Sequence, residues 1–209
     1  MKAITALVLA IMLALSIVAS ATPLTTAAGD ALKKDGPHVR AVEHLGGSSL
    51  AVALRGGYAF VGSSAEFAVV DLHNVQQPHR LAYLPLAAND VVLHDNYAYI
   101  TNRSGLVAID ISDPAHPQQV ASAPATRPLN GLTIAGHHIF AIAPEGGLFV
   151  YDIAEPVHLQ QVGFMRILGA EGIAVQGSFA YLATSSGLRI MDVADPRRPT
   201  LTTFAGIPQ

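Results

Sequence analysis

The sequence predicts an all-β fold, a β-propeller of about four blades with four strands each. Three observations lead to this prediction. One unit recurs four times, at spacings of 39, 42 and 40 residues. Each unit consists of short apolar stretches separated by Gly, Pro, Asn and Asp turns, and nothing after residue 21 has helical periodicity. Only 13% of the residues are charged, against about 25% in an average soluble domain.

The first 21 residues predict a secretory signal. Lys2 supplies the positive start, an apolar run follows, and Ala19-Ser20-Ala21 fits the small-x-small pattern that is cut after Ala21. An uncleaved anchor is the alternative, although the run is a little short for a span of about 20 apolar residues. We therefore expect a secreted, periplasmic or cell-surface protein, with no stable membrane span after cleavage. Residues 22–37 are expected to form a flexible linker.

Residues 38–209 are expected to form the propeller, with repeats at about 50–88, 89–129, 130–170 and 171–207. A period near 40 residues with four strands per unit favours a propeller over a sandwich or barrel. Both faces of such a blade carry apolar side chains, so each blade needs neighbours to cover them. In the second repeat the strands are predicted at Val91–Leu93, Tyr97–Thr101, Leu106–Ile111 and Gln119–Ala123.

The segments FAVVD, LVAID, LFVYD and LRIMD, one in each repeat, resemble the LVIVD repeat. The turns DISDPAHP (110–117) and DVADPRRP (192–199) and the preceding YAYI (97–100) and FAYL (179–182) strengthen the resemblance. Copies one and three depart from it at Val75 and Leu159, where prolines are expected. The stretch YITN (99–102) also resembles the YVTN repeat, but the Asp-Pro-x-x-Pro turn favours LVIVD. The resemblance covers about residues 39–207 and implies an exported β-propeller without a shared catalytic motif.

Four repeats leave the closure of the propeller open. A four-bladed ring is the smallest type, and both Val39–Leu45 and Thr200–Phe204 are candidates for a single outer strand. The alternatives are an open arc, a dimer that closes eight blades, or a truncated gene. An open arc would expose apolar faces and should associate, so a homo-oligomer is among the expected partners.

One aspartate recurs in every repeat and is interpreted as structural. Each copy ends an apolar strand before a turn, where a carboxylate accepts backbone N–H bonds; a ring of carboxylates that binds cations is the alternative. These residues are Asp71, Asp110, Asp152 and Asp192. The nine histidines show no metal-ligand spacing, and adjacent His137 and His138 would point to opposite faces of a strand. We predict no metal site and no cofactor.

The candidate ligand-binding residues lie on one face of the propeller. Loops entering the first strand and turns after the second strand share that face, and their polar residues vary over a constant framework. The predicted residues are Asn89, Asp90, Asn102, Arg103, Asn130, Glu145 and Glu171.

These features favour a non-enzymatic binding module for an extracellular protein or carbohydrate. The competing hypotheses are a hydrolase that uses Asp90, Glu145 and Glu171 around a central channel, and a purely structural envelope protein. The net charge of −3 argues against a nucleic-acid partner, which requires a basic face.

Overall fold

The structure, a computed structural model, describes residues 49–206. The chain divides into two units between Ala41 and Val42, and the described residues belong to the second unit. The expected signal, the linker and the candidate strand Val39–Leu45 lie outside the described residues. Within residues 49–206 no helix has the length and apolar character to cross a membrane.

The regular structure of the described residues consists of sixteen strands in four antiparallel sheets of four strands each. Sheet 1 contains β1 (Ser49–Arg55), β2 (Tyr58–Ser63), β3 (Phe67–Asp71) and β4 (His79–Leu84). Sheet 2 contains β5 (Asp90–His94), β6 (Tyr97–Asn102), β7 (Gly105–Asp110) and β8 (Gln118–Pro124). Sheet 3 contains β9 (Gly131–Ala135), β10 (His138–Ala143), β11 (Gly147–Asp152) and β12 (Gln160–Met165). Sheet 4 contains β13 (Ala170–Gln176), β14 (Phe179–Thr184), β15 (Gly187–Asp192) and β16 (Thr200–Ala205).

The predicted fold class is confirmed: one sheet corresponds to each repeat, and its strands lie side by side in chain order. In sheet 2 the predicted strands agree with the observed ones to within two residues. Ile111 falls outside β7, and its N–H donates to the carbonyl of Asn96 at 2.8 Å while its side chain is buried. Thr200–Phe204 belongs to β16, the fourth strand of sheet 4.

Three hydrophobic cores join the four sheets, one between each consecutive pair. Phe60 and Val69 of sheet 1 pack with Ile100 and Ile109 of sheet 2. The next two cores repeat this arrangement: Tyr99, Leu106, Ile139 and Tyr151 lie between sheets 2 and 3, and Phe140, Val150, Leu182 and Met191 lie between sheets 3 and 4. Each internal sheet therefore gives one face to the sheet before it and one to the sheet after it, so its second and third strands are apolar almost throughout, whereas its fourth strand is more polar and exposed.

A glycine begins the third strand of sheets 2, 3 and 4. Gly105, Gly147 and Gly187 have φ values of 139°, 128° and 131°, a backbone conformation that disfavours other residues. A β-carbon on Gly105 would also lie 2.2 Å from the carbonyl oxygen of Ala123 on β8. This close approach of the third and fourth strands leaves no room for a side chain.

We expect Gly105→Ala to lower the free energy of unfolding by about 1–3 kcal/mol, since the new methyl group must displace β8. Chemical denaturation measures the change. The control is Gly206→Ala, because a β-carbon there would lie 3.6 Å from its nearest neighbour, the ring of Phe204. Equal midpoints for the two variants would contradict the prediction.

Candidate functional site

One end of the sheets carries all seven predicted ligand-binding residues, and we call it the loop end. The strand order brings to this end both the connections between sheets and the turns between the second and third strands. Asn89 lies in the connection 85–89, and Asp90 begins β5. The other positions are Asn102 at the end of β6, Arg103 in the turn after it, Asn130 in the connection 125–130, Glu145 in the turn 144–146 and Glu171 near the start of β13.

Backbone hydrogen bonds fix the connections of the loop end to the sheets on both sides. In the connection 85–89, the N–H of Ala88 donates to Ser63 in sheet 1 at 2.8 Å, and that of Asn89 donates to Thr101 in sheet 2 at 2.7 Å. The connection 125–130 follows the same pattern, with Leu129 N–H bonded to Asn102 at 3.3 Å and Asn130 N–H bonded to Ile142 at 2.9 Å. Side chains on these connections are therefore held on a rigid support.

Asp90 joins sheet 2 to sheet 3. Its Oδ1 accepts the N–H of Val91 at 2.8 Å, and its Oδ2 accepts the N–H of Leu132 on β9 at 2.9 Å. Burial raises the pKa of the Asp90 carboxyl, and the two N–H bonds oppose that shift. The hydrolase hypothesis assigns chemistry to Asp90, but its Oδ1 is bonded within its own strand and its Oδ2 is bonded to sheet 3.

The side chains of two predicted asparagines also form hydrogen bonds with the backbone. The Nδ2 of Asn89 donates to the carbonyl of Leu129 at 2.9 Å, which links the connection 85–89 to the connection 125–130. The Oδ1 of Asn102 accepts the N–H groups of Ser104 at 2.8 Å and Gly105 at 3.0 Å, so it closes its own turn. The side chains of Asn89, Asp90 and Asn102 thus shape the loop end.

The other four predicted residues, Arg103, Asn130, Glu145 and Glu171, are exposed at the loop end. Two further exposed arginines share this end, and sequence reasoning missed both: Arg127 and Arg166. A β-carbon on Gly146 would lie 3.1 Å from Cγ of Arg127, and one on Gly147 would lie 2.9 Å from Cα of Arg166. The two arginines therefore flank the turn that carries Glu145.

We define the loop-end patch as the six exposed side chains Arg103, Arg127, Asn130, Glu145, Arg166 and Glu171. Among residues 49–206, the ion pairs are Arg80 with Glu66 and four histidine–acid pairs, and none involves a residue of this patch. The only signal in the sequence for Arg127 and Arg166 was their place in the same connections as Asn130 and Glu171.

The repeated aspartates lie at the opposite end of the sheets, which we call the turn end. The Oδ1 of each accepts the N–H of the residue two positions later, at 2.8 Å for Asp71, Asp110 and Asp192 and 2.9 Å for Asp152. The pKa of Asp71 is lowered by its bonds from the backbone N–H and then from the ring of His73. No group of three or more His, Asp or Glu side chains within residues 49–206 is placed to hold a metal ion.

A cleft of about 430 Å³ opens at the turn end between sheets 1 and 2. Its lining mixes polar and apolar groups, with Arg55 and Tyr58 on one side and Asp95, Asn96 and Ser112 on the other. The guanidinium carbon of Arg55 lies 6.0 Å from the ring centre of Phe60, another residue of the lining. Sequence reasoning gave no indication of this cleft, because its walls come from different repeats.

A family model for the LVIVD repeat matches residues 46–79, 87–123 and 169–204, which together exceed half of the chain. This match confirms the resemblance. The third repeat is unmatched, and it is the copy with Leu159 in place of proline and with one extra residue in its turn 144–146. No curated protein sequence matches the chain.

Three solved structures share the arrangement of sheets. A functionally unknown protein from Desulfotomaculum acetoxidans has 15% identity and a TM-score of 0.62, over 79% of this chain and 58% of its own. The computationally designed Ika4 protein has 13% identity and a TM-score of 0.58, over 75% of this chain and 98% of its own. For the designed Ika8 protein the values are 12% and 0.55, over 70% of this chain and 46% of its own. At these identities the likeness shows the fold alone.

We expect Asp90→Ala to lower the free energy of unfolding by about 1–3 kcal/mol, because it leaves two backbone N–H groups without their acceptor. Glu171→Ala, at an exposed position on the same end, is the control and should change stability by less than about 0.5 kcal/mol. Denaturant titration at acidic pH, where the contribution of Asp90 is fullest, measures both.

The stabilising effect of Asp90 should depend on pH. Its pKa is raised above the ordinary 3.8, so the folded protein holds the proton more tightly than the unfolded chain does. The contribution of Asp90 is then fullest below pH 3.8 and declines as the pH rises toward the raised pKa. The stability difference between wild type and Asp90→Ala should shrink across that window, and a growing difference would contradict the assignment.

Proposed function

This chain belongs to the LVIVD repeat family, and from that premise we propose that it is an exported, non-enzymatic binding module. Its repeat fold is that of an interaction module, in which constant sheets support variable loops. The ligand is an extracellular protein or a carbohydrate, and it binds at the loop end. The signal pattern of residues 1–21 supports export.

The observation that carries the proposal is the placement of Arg127 and Arg166 on either side of the turn with Glu145. A guanidinium group binds a carboxylate through two parallel hydrogen bonds, and an arginine pair can hold two such groups. The favoured ligand is therefore one that displays carboxylates, either as acidic side chains or as acidic sugars.

The rigidity of the loop end supports tight binding by this patch. The connection that holds Arg127 is bonded to both adjacent sheets, and the N–H of Gly169, close to Arg166, donates to Pro144 of the turn at 2.8 Å. Arg103 lies on the same surface. Its neighbour in the chain, Ser104, accepts the N–H of Ala125 at 3.0 Å, and Ala125 belongs to the connection that holds Arg127. Binding to a preorganised site loses less conformational entropy than binding to mobile loops.

A binding assay with two acidic polymers tests the proposed ligand chemistry. Polygalacturonate represents acidic carbohydrate, polyglutamate represents acidic protein, and dextran is the neutral control. We expect one of the acidic polymers to bind and dextran not to bind. Arg127→Ala combined with Arg166→Ala should weaken binding at least about tenfold, because charged hydrogen bonds contribute about 1.5–3 kcal/mol each.

Arg197→Ala is the matched control for this assay, since Arg197 is an exposed arginine at the turn end. It should leave the affinity unchanged, while added salt should weaken binding of the wild type. Failure of both acidic polymers to bind, or equal loss with the control variant, would contradict the proposal.

Export is tested separately by expression of the full sequence in a bacterium with a general secretion pathway. We expect the protein outside the cytoplasm with Thr22 at its N-terminus, as determined by mass spectrometry. Leu13→Arg places a charge in the apolar run and should retain the uncleaved chain in the cytoplasm. Thr25→Arg, beyond the expected cleavage point, is the control and should be exported normally.

A further inference from the structure

The outer face of sheet 1 is apolar, and it is exposed along its first strand, β1, whereas Ala59, Ala68 and Val70 of β2 and β3 on the same face are buried. Alternate residues of β1 point to the same side of the sheet, and on this side Leu50, Val52 and Leu54 are all exposed, Leu54 by 69%. Ala51 and Ala53 point the other way and pack in the core shared with sheet 2. Strands that face water normally alternate with polar residues, so an apolar face of this kind indicates an interaction surface.

The outer face of sheet 4 is also incompletely covered. In sheets 1 to 3 the framework aromatic of the second strand is fully buried, as at Phe60, Tyr99 and Phe140. In sheet 4 the same position is Tyr181, which is only partly buried, as is its cross-strand neighbour Ile190. Phe179, two residues before Tyr181 and on the same face, is exposed.

The outer faces of sheets 1 and 4 correspond to the two kinds of face that pack together in each of the three cores. In each core, the face with the framework aromatic packs on the opposite face of the next sheet. Val91 lies on that opposite face in sheet 2 and is 5% exposed, whereas Val52 holds the same repeat position in sheet 1 and is 61% exposed. The outer face of sheet 4 carries the framework aromatic, and the outer face of sheet 1 is the opposite kind of face. The two faces are therefore of the kinds that pack together in each core.

We propose that two copies of this chain associate so that sheet 4 of each copy packs on sheet 1 of the other. The two contacts are identical and related by a two-fold axis, and together they close a ring of eight sheets. A closed assembly of this symmetry covers every apolar sheet face, whereas open head-to-tail association would form filaments.

The placement of the hydrophobic cores favours a second copy over closure within one chain. The hydrophobic cores of the described residues join sheets 1 to 2, 2 to 3 and 3 to 4, and the exposed valine and leucines of β1 lie on the face left over.

One ion pair lies near the outer face of sheet 1. Arg80 of β4 lies on this face, because it pairs across the strands with Val70. Its guanidinium is bonded to Glu66 at 2.7 Å and lies 4.8 Å from the ring centre of Tyr83. Because Arg80 is paired, it brings little net charge into the interface, and the apolar contacts around it must offset the free energy of desolvating the pair.

The first experiment measures the mass of the secreted protein in solution by light scattering, with its N-terminus determined by mass spectrometry. We expect twice the chain mass, and we expect Val52→Glu to give a folded monomer. The control is Val75→Glu, a valine with 60% exposure against 61% for Val52 but located in the turn between β3 and β4. Phe179→Glu, on the outer face of sheet 4, should separate the copies as Val52→Glu does. A monomeric wild type, or a dimer that survives both face variants, overturns the proposal.

The second experiment uses the absence of cysteine from the chain. Leu54→Cys and Phe179→Cys in one chain place a thiol on each outer face, and a short bifunctional maleimide joins thiols that come close. We expect a product of two chains with both bonds formed. A cross-linked single chain would show that four sheets close on themselves, and a ladder of longer products would show open association. Either result would falsify the two-copy ring.

Discussion

A sheet of four short strands with apolar side chains on both faces is stable only when another sheet covers each face. The structure follows from this constraint. It explains why the chain has so few charged residues and why three cores repeat the same contacts between sheets. It also places polar groups mainly at the two ends of the sheets and on the exposed fourth strands, since the covered sheet faces cannot carry them. Any binding function in this part of the chain must therefore be sought at an end or on an outer face.

The polar residues of the ends separate into those that hold the fold and those that remain exposed. Asp110 and its three equivalents hold turns, and Asp90 holds two sheets together although it occurs in only one repeat. A residue unique to one repeat can thus be structural, so sequence variation alone does not identify a binding residue. What distinguishes Arg127 and Arg166 is that they are exposed on connections whose backbone is fixed.

The fold was predictable from the sequence because each repeat meets the same packing environment and so requires the same residues at the same spacing. Tyr99 and Asp110 recur for that reason, and the turn role of Asp110 depends only on residues close in sequence. The link from Asp90 to Leu132 was not predictable, because 42 residues separate its partners. The exposure of Val52 was not predictable either, because its neighbours in the sequence match those of buried Val91. The two valines differ in that a neighbouring sheet covers Val91 and not Val52.

The pairing of each strand only with strands adjacent in the chain makes this array quasi-one-dimensional. In such a system the free energy of unfolding is the sum of the intrinsic stabilities of the sheets and the contributions of the contacts between neighbouring sheets. Sheets 2 and 3 have two neighbours, whereas sheets 1 and 4 have one each among the described residues. An isolated copy should consequently fray from its ends, with the amide hydrogens of β16 exchanging long before those of β6 and β10. Cooperative unfolding would then be a property of the closed assembly, acquired only when the array no longer has ends.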